Sequence, residues 1–236
     1  GGFRVGIFGL TIHTSKADYA KVTDYLDAAR REMSNLSGKA DAIVALTHLS
    51  MKQDKKLANE VSGIALIMGG HEHTLMTWRD EDNGTFIAKA DSNSRTAWVH
   101  KVCKGADGLG TLVQSEVQLL DEKAPKSERI QKVVDAWMKI AFDAYAKEGF
   151  RPKRIVTNSE EGLDGRSDSV RSRRTNMTDV ILKAMLNTYP KAEFAALNGG
   201  AIRVDDIVGP GPITEYDVFR IMPFPDKAMQ VKLTGA

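Results

Sequence analysis

The chain has one cysteine, Cys103, among its 236 residues, so no disulfide can form within it. Neither sign of charge is in excess: 33 basic and 31 acidic side chains leave a net charge of +2, which gives no overall field for nucleic acid or a membrane surface. No apolar run approaches the roughly 20 residues that a membrane-spanning helix needs. The amino end lacks the basic and apolar regions of a signal peptide. A hydrophobic content of 42% is typical of a globular protein, and a length of 236 residues is enough for one large domain or two modest ones.

Strand and helix patterns alternate in the first third of the chain. Apolar runs in FRVGIFGLTI, ADAIVALTHL and IALIMGG predict three strands. MKQDKKLANEVSG predicts a short helix between the last two. Another helix is expected to start at Ser15–Asp18, to carry Tyr19 and Val22 on its apolar face, and to end at Gly38. This alternation predicts a layered α/β domain.

The pattern then changes to β-rich segments between turn clusters. TFIAKA, AWVHKVC and LVQSEVQLL predict an antiparallel run, and residues 127–148 carry the longest helical pattern of the chain. We therefore expect a first domain over 1–124, a linker helix over 125–150 and a second domain over 151–236. The second domain alternates again, with a loop at 158–169, a helix from about 177 to 188, a strand EFAALNGG, a helix near 214–220 and a strand AMQVKL.

Three histidines stand at strand ends. His48 ends ADAIVALTH, and His71 and His73 follow IALIMGG. Because functional groups in open α/β sheets gather beyond the carboxyl ends of strands, two adjacent strands would bring these imidazoles together. Imidazole binds zinc, manganese, iron and cobalt well, so the pattern favours a metal site, with a polar turn as the ordinary alternative. His13 and His100 are interpreted as solvated.

Four arginines lie close together in the second half of the chain, at 166, 171, 173 and 174. A solvated basic loop is the ordinary interpretation. Polymeric nucleic acid is disfavoured because neither aromatic interleaving nor a wide basic face is present. The third interpretation is an anion clamp, because guanidinium groups bind phosphate bidentately. ALNGGAIR and IMPFPD support it, since glycines allow close approach of a ligand, Asn198 can read a base edge and Phe224 can stack on one.

DAIVALTHLSMKQDKKLANEVSGIALIMGGHEHT resembles the second half of a metallophosphoesterase domain of the 5'-nucleotidase family. The resemblance implies that His48 and His71 bind one metal ion of a dinuclear pair and His73 the other, the two ions being divalent zinc, manganese, cobalt or iron. A pair of ions about 3.5–4 Å apart can clamp a phosphoryl group and generate a bound hydroxide nucleophile. The family's Asp-x-His, bridging Asp and Asn-His are not found in this sequence. We therefore expect the chain to begin within a longer protein.

The second half resembles the carboxy-terminal, nucleotide-binding domain of the same family. The resemblance implies substrate contacts from Arg166, Arg171, Asn198, Gly199, Gly200, Arg203 and Phe224. Two departures from the family pattern stand out, Thr178 in place of a usual Gly and Arg174 in place of a frequent Glu. The implied fold is a partial αββα metallophosphoesterase-type sandwich, joined by a long helix to a partial α/β nucleotide-binding domain.

The implied function is hydrolysis of nucleoside 5'-phosphates, with a nucleotide as substrate and the oligomeric state left open. The chain alone is expected to hold half a metal site. Nucleotide sugars, 2',3'-cyclic nucleotides and sulfur esters are alternative substrates within the family. A nucleotide-binding protein without catalysis is the alternative from another class, and a structural or interaction protein is the least favoured. The family resemblance also implies a periplasmic, secreted or cell-surface location.

Overall fold

The computed structural model describes residues 2–13, 19–105, 110–121 and 123–234. The chain forms two compact units, Gly1–Ala124 and Pro125–Ala236, and each has its own hydrophobic core. Both units mix helices with strands, which confirms the α/β class. In the part of the chain that the structure describes, no helix combines the length and the apolar surface that a membrane crossing requires.

A five-stranded sheet forms the centre of the first unit. Its strands are β1 (Val5–Thr11), β2 (Ala42–His48), β3 (Leu66–Gly69), β4 (Met76–Arg79) and β5 (Phe86–Lys89). They lie in the order β1-β2-β3-β5-β4, and β1, β2, β3 and β5 are parallel while β4 is antiparallel to β5. The three strands predicted in the first third are confirmed.

Two helices precede and follow β2. Helix α1 (Tyr25–Leu36) begins after Asp24, whose carboxylate accepts hydrogen bonds from the amides of Leu26 and Asp27. The predicted start at Ser15–Asp18 lies outside the described residues. The assignment of Tyr19 and Val22 to this helix was wrong, because the Asp24 cap starts it later and leaves Tyr19 95% exposed. Helix α2 (Met51–Glu60) begins with a capping box of Ser50 and Gln53 and is confirmed.

The core of the first unit lies between the sheet and these helices. Its buried members include Phe8, Leu26, Ala29, Ile43, Leu49, Leu57, Ala58, Ile67 and Ile87. The other face of β1 and β2 exposes Val5, Ile7 and Leu46. One face of the sheet is therefore covered by helices, and apolar side chains of the other remain accessible in this unit.

A long hairpin follows the sheet. Strands β6 (Thr96–Lys104) and β7 (Thr111–Leu119) pair antiparallel, as AWVHKVC and LVQSEVQLL predicted. TFIAKA forms β5, which pairs antiparallel with β4, as predicted for this stretch. It does not pair with the hairpin, however, and its other neighbour is the parallel strand β3, where Ile87 joins the sheet core.

The second unit begins with helix α3 (Glu128–Lys147), which confirms the long helical pattern. Tyr145 stacks on Phe219 with ring centroids 5.0 Å apart, and Phe142 meets Tyr216 at 5.1 Å, so aromatic contacts join α3 to helix α6 (Glu215–Ile221). The apolar face expected on α3 is largely exposed, and Trp137 exposes 67% of its surface.

Two short antiparallel strand pairs and two more helices complete this unit. The strands are β8 (Ile155–Ser159) with β11 (Gly211–Thr214), and β9 (Leu163–Asp164) with β10 (Ile207–Val208). The helices are α4 (Ser167–Ser172) and α5 (Asn176–Thr188). They surround a core of Val170, Met177, Ile202, Val204, Val208, Ile213 and Ile221.

Three predictions for this unit need correction. The segment 158–169 is not a continuous loop, because it holds the end of β8, all of β9 and the start of α4. EFAALNGG and AMQVKL are not strands: no backbone ladder to a neighbouring strand forms along them in the described part of the chain. The predicted helices near 177–188 and 214–220 are confirmed as α5 and α6.

Candidate functional site

The ends of β2 and β3 bring two of the predicted metal-binding histidines together. β2 and β3 are parallel neighbours, with Thr47 opposite Gly69, so the residues that follow both strands leave the sheet at one edge. The ring centroids of His48 and His71 lie 5.2 Å apart, with the rings edge to face at 80°. Both residues are exposed at this edge. The sequence prediction that the two strand ends would converge is confirmed for this pair.

The loop after β3 has an unusual backbone. His71 and His73 both have positive φ, 88° and 60°, a region that residues other than glycine rarely occupy. The Gly70 amide donates to the Thr47 carbonyl oxygen at 2.9 Å, which holds the loop against the end of β2. Such strained conformations persist where the surroundings fix them, and they cluster at functional sites.

The histidines fit part of a metal site. His48 and His71 present imidazole nitrogens, which suit the divalent ions named above. Within residues 2–13, 19–105, 110–121 and 123–234, however, no group of three or more His, Cys, Asp or Glu side chains is arranged to hold a metal ion. The described residues therefore bring two imidazoles together, with His73 two residues beyond, and a metal site built on them would need further ligands.

A buried lysine lies directly behind the two histidine loops. The Lys89 ammonium donates to the Leu49 carbonyl oxygen at 2.6 Å and to the Gly70 carbonyl oxygen at 3.0 Å. It also lies 2.6 Å from a Glu72 carboxylate oxygen and 2.8 Å from Oδ2 of Asp54. One ammonium thus contacts the loop after β2, the loop after β3 and helix α2.

The pKa values of the Asp54 and Glu72 carboxyl groups shift in opposite directions. Burial raises the pKa of the Asp54 carboxyl, and the contact with Lys89 opposes that effect. Burial also acts to raise the pKa of Glu72, but hydrogen bonds from Lys89 and from the Met51 amide outweigh it and leave the net pKa below its ordinary value. Glu72 is thereby held as a carboxylate between His71 and His73.

The sequence analysis did not predict the pairing of Lys89 with Asp54, although two features of the sequence indicate that these residues are unusual. Lys89 interrupts the apolar run FIAKA, and Asp54 occupies the face of α2 that also carries the buried Leu57 and Ala58. A charged residue at a position with core spacing is uncommon and normally needs a partner. The pairing itself joins residues 35 positions apart in the chain and is visible only in the fold.

Gly69 makes room for the buried lysine. It lies opposite Lys89 across the β3–β5 pairing, and a Cβ at this position would come 2.8 Å from Cε of Lys89 and 3.1 Å from Oδ2 of Asp54. Gly70 has a different environment, because a Cβ there would meet Nδ1 of His48 at 3.6 Å, an ordinary contact. Glycine is therefore favoured at position 69 by the packing of Lys89, whereas the space beside Gly70 would accommodate a small side chain.

In the second unit, the Asn-Gly-Gly turn lies against the end of α4. The turn forms a short 3-10 helix, Gly199–Ala201, and the Asn198 side chain accepts a hydrogen bond from the Gly200 amide at 3.1 Å. A Cβ on Gly199 would lie 2.4 Å from the Val170 carbonyl oxygen and 3.3 Å from Cα of Arg171. Close backbone packing thus brings Asn198 and the exposed Arg171 into one region.

Arg203 and Phe224 lie next to each other. The Arg203 amide donates to the Ile221 carbonyl oxygen at 2.8 Å, which joins its segment to the end of α6. The Arg203 guanidinium lies 6.0 Å from the centroid of the Phe224 ring. Phe224 is 51% exposed, so part of its side chain is accessible. The structure therefore places the predicted arginine beside the predicted aromatic residue.

Arg166 has a different environment from the other predicted contacts. Its guanidinium forms a two-pronged ion pair with Asp164, with Nε and Nη2 each 2.9 Å from a carboxylate oxygen. The hydrogen bonds from Arg166 hold the pKa of Asp164 well below its ordinary value. Nη2 of Arg173 lies 3.6 Å from the same carboxylate. Asp164 therefore engages two of the four clustered arginines.

The chain is similar to several known proteins. The family model of the 5'-nucleotidase, C-terminal domain matches residues 154–236. The trifunctional nucleotide phosphoesterase protein YfkN of Bacillus subtilis is 28% identical over 249 residues, covering 99% of this chain and 16% of that protein. Human 5'-nucleotidase is 26% identical over 242 residues, covering 90% of this chain and 41% of that protein.

A solved structure agrees over both units. The 5'-nucleotidase precursor of Thermus thermophilus matches with a TM-score of 0.75 and 25% identity over 94% of this chain and 47% of that one. Residues 154–236 thus match the carboxy-terminal domain of the 5'-nucleotidase family, and the chain as a whole is similar to 5'-nucleotidases. It has the mixed α/β fold of that family, in which a metallophosphoesterase part is followed by the carboxy-terminal domain. The chain spans less than half the length of each of these three relatives.

Both departures from the 5'-nucleotidase pattern have a local structural role. Thr178 completes a capping box with Thr175 at the start of α5, since each side chain bonds to the other residue's amide. Arg174 forms an ion pair with Asp179 in the first turn of the same helix. These residues stabilise the start of α5.

Proposed function

We propose that the protein is a divalent-metal-dependent phosphohydrolase that releases phosphate from nucleoside 5'-phosphates. The observation that carries this proposal is the convergence of His48 and His71 at neighbouring strand ends, 5.2 Å apart, in a chain similar to 5'-nucleotidases. The converged imidazoles support a metal role, because they place two nitrogen groups of the kind that divalent ions bind close together at one exposed edge of the sheet.

In this proposal His48 and His71 bind one divalent ion and His73 binds the second. When bound there, a pair of zinc, manganese, cobalt or iron ions supplies Lewis-acid stabilisation of the phosphoryl oxygens and activation of water. The positive-φ backbone after β3 directs the two histidines of this loop, and Gly70 leaves room beside the His48 ring. The chain's own contribution is the orientation of these ligands before substrate arrives.

The second unit binds the nucleoside in this proposal. Arg203 contacts the anionic or ribose end, Phe224 stacks on the base, and Asn198 hydrogen-bonds to the base edge. Gly199 and Gly200 allow the backbone to approach the ligand, and Arg171 adds positive charge beside them. Arg166 is assigned to holding Asp164, because its guanidinium donors already engage that carboxylate. A location in the periplasm, outside the cell or on its surface is part of the proposal on family resemblance alone.

A nucleotide-binding protein without phosphatase chemistry is the second candidate. The observation in its favour is that no group of three or more metal-ligating side chains is assembled within the described ranges. The convergence of His48 and His71 favours the phosphohydrolase over this candidate. Nucleotide sugars and 2',3'-cyclic nucleotides would use the same base-binding residues, so substrate choice within the family needs measurement.

The test is a phosphate-release assay with the purified protein and each metal in turn. AMP, a nucleotide sugar and 2',3'-cyclic AMP are offered separately, with His71→Ala as the test variant. His100→Ala is the control, because its ring stacks on Trp98 and hydrogen-bonds to Ser115 within the hairpin. We expect AMP hydrolysis that depends on added metal, is lost in His71→Ala and persists in His100→Ala. Nucleotide binding without hydrolysis under any metal would establish the second candidate.

A further inference from the structure

The Lys89 side chain is almost fully buried among charged and polar partners. Its relative exposure is 1%, and that of Asp54 is 0%. A buried charge is costly unless it is paired and its donors are satisfied. Lys89 meets that requirement with two carboxylates and two backbone carbonyl oxygens, all within 3.0 Å of its ammonium.

The partners of this ammonium follow one pattern. Leu49 directly follows His48, Gly70 directly precedes His71, and Glu72 lies between His71 and His73. The other oxygen of Glu72 accepts a hydrogen bond from the Met51 amide, so this carboxylate also joins the two loops. Asp54 anchors the group from α2.

We propose that Lys89 is a positioning residue for the histidine pair: by holding the loop after β2 and the loop after β3 together, it sets the separation of His48 and His71 before any ion binds. The link to metal binding rests on the function proposed above, whereas the link to loop geometry does not. Replacing a buried ion pair by apolar residues is often neutral or favourable for stability. Stability alone therefore gives no reason for two loops to converge on one lysine, whereas ligand positioning does.

The test variant is the double substitution Lys89→Met with Asp54→Leu. It removes the ammonium without leaving the Asp54 charge buried and unpaired, which would by itself unfold a marginal domain. Lys101→Met, at an exposed lysine on β6, is the matched control. Two measurements are made on each protein: amide hydrogen exchange of residues 49–51 and 70–73 without metal, and Mn²⁺ binding by calorimetry.

We expect the double variant to exchange the loop amides at least about tenfold faster than the control, with core amides of β2 unchanged. We expect its Mn²⁺ affinity to fall about 10- to 100-fold, as is usual when a residue that orients metal ligands is lost. Unchanged exchange and unchanged affinity would overturn the positioning role. If the double variant does not fold, Glu72→Gln, which leaves the Lys89–Asp54 pair intact, is measured by the same criteria.

The two measurements separate this inference from the proposed function. If the unmodified protein binds no Mn²⁺ but the variant's loop amides exchange faster, the positioning role stands and the metal-dependent function fails. If the unmodified protein binds Mn²⁺ and the variant binds it equally well, the function stands and the positioning role is wrong.

Discussion

The Lys89 ammonium and the Asp54 carboxylate form an ion pair 2.8 Å apart inside the first unit, and both side chains are withdrawn from water. The pair lies behind the loops that carry His48 and His71, and its volume is accommodated by Gly69. The Gly-Gly-His-Glu-His segment is therefore closely packed. The absence of a side chain at Gly69 leaves space for the Lys89 side chain, and Gly70 lies beside the His48 ring.

Gly69→Ala should destabilise the protein, because the added methyl group would lie 2.8 Å from Cε of Lys89. Overpacking of this kind costs about 1–3 kcal/mol of unfolding free energy. Gly70→Ala is the matched control, since its methyl group would make a 3.6 Å contact with the His48 ring. Urea unfolding of the two variants measures the difference. Equal unfolding midpoints would show that the Lys89 side chain can move aside.

Gly199→Ala should both destabilise the second unit and weaken nucleotide binding. Its methyl group would lie 2.4 Å from the Val170 carbonyl oxygen, a backbone atom that can move only with α4. Gly200→Ala is the control for the unfolding measurement alone, because its nearest contact is the Asn198 side chain at 3.5 Å. Calorimetric titration with AMP and thermal unfolding provide the readouts. Full AMP affinity in Gly199→Ala would show that nucleotide binding does not depend on the close packing of Gly199 against α4.

Arg203→Ala should raise KM for AMP far more than it lowers kcat, if Arg203 binds substrate and transition state equally. Loss of a hydrogen bond to a charged group costs about 1.5–3 kcal/mol, which corresponds to a rise in KM of about 10- to 160-fold. Arg220→Ala is the control, because Arg220 pairs with Asp217 on α6. Steady-state kinetics distinguishes the outcomes. A large fall in kcat at constant KM would contradict the proposed role.

The ion pair of Asp164 with Arg166 should make the free energy of unfolding fall in acid. Arg166 holds the pKa of this carboxyl below its ordinary value, so the folded state binds fewer protons than the unfolded state. The contribution to stability is therefore present above about pH 4, near the unfolded pKa, and is lost as pH falls below it toward the folded pKa. Unfolding measured from pH 6 to pH 3 should show a shallower acid loss in Asp164→Asn than in the exposed control Asp226→Asn. Identical slopes would mean that the Arg166 pair contributes little.

Local patterns predicted much of the fold and the positions of the candidate ligands. Apolar runs predicted β1, β2 and β3, and the histidines that converge are the last residue of β2 and the second residue after β3. Local sequence patterns gave wrong or no predictions where the structure of a segment depends on contacts with residues distant in the sequence. EFAALNGG has strand composition, but a strand needs a neighbouring backbone to bond with, and the turn at Gly199 packs on α4 instead. Lys89 and Asp54 could be noticed as misplaced charges, yet only the sheet order brings them together.

We propose that phosphate release from a nucleotide depends on metal bound by the histidine pair. One measurement tests this proposal directly. The rate of phosphate release from AMP is measured on one preparation as purified, after chelation, and after Mn²⁺ is restored. We predict that activity disappears with chelation and returns with Mn²⁺ in the unmodified protein, whereas His48→Ala does not recover it. Activity that survives chelation, or that returns fully in His48→Ala, would contradict it.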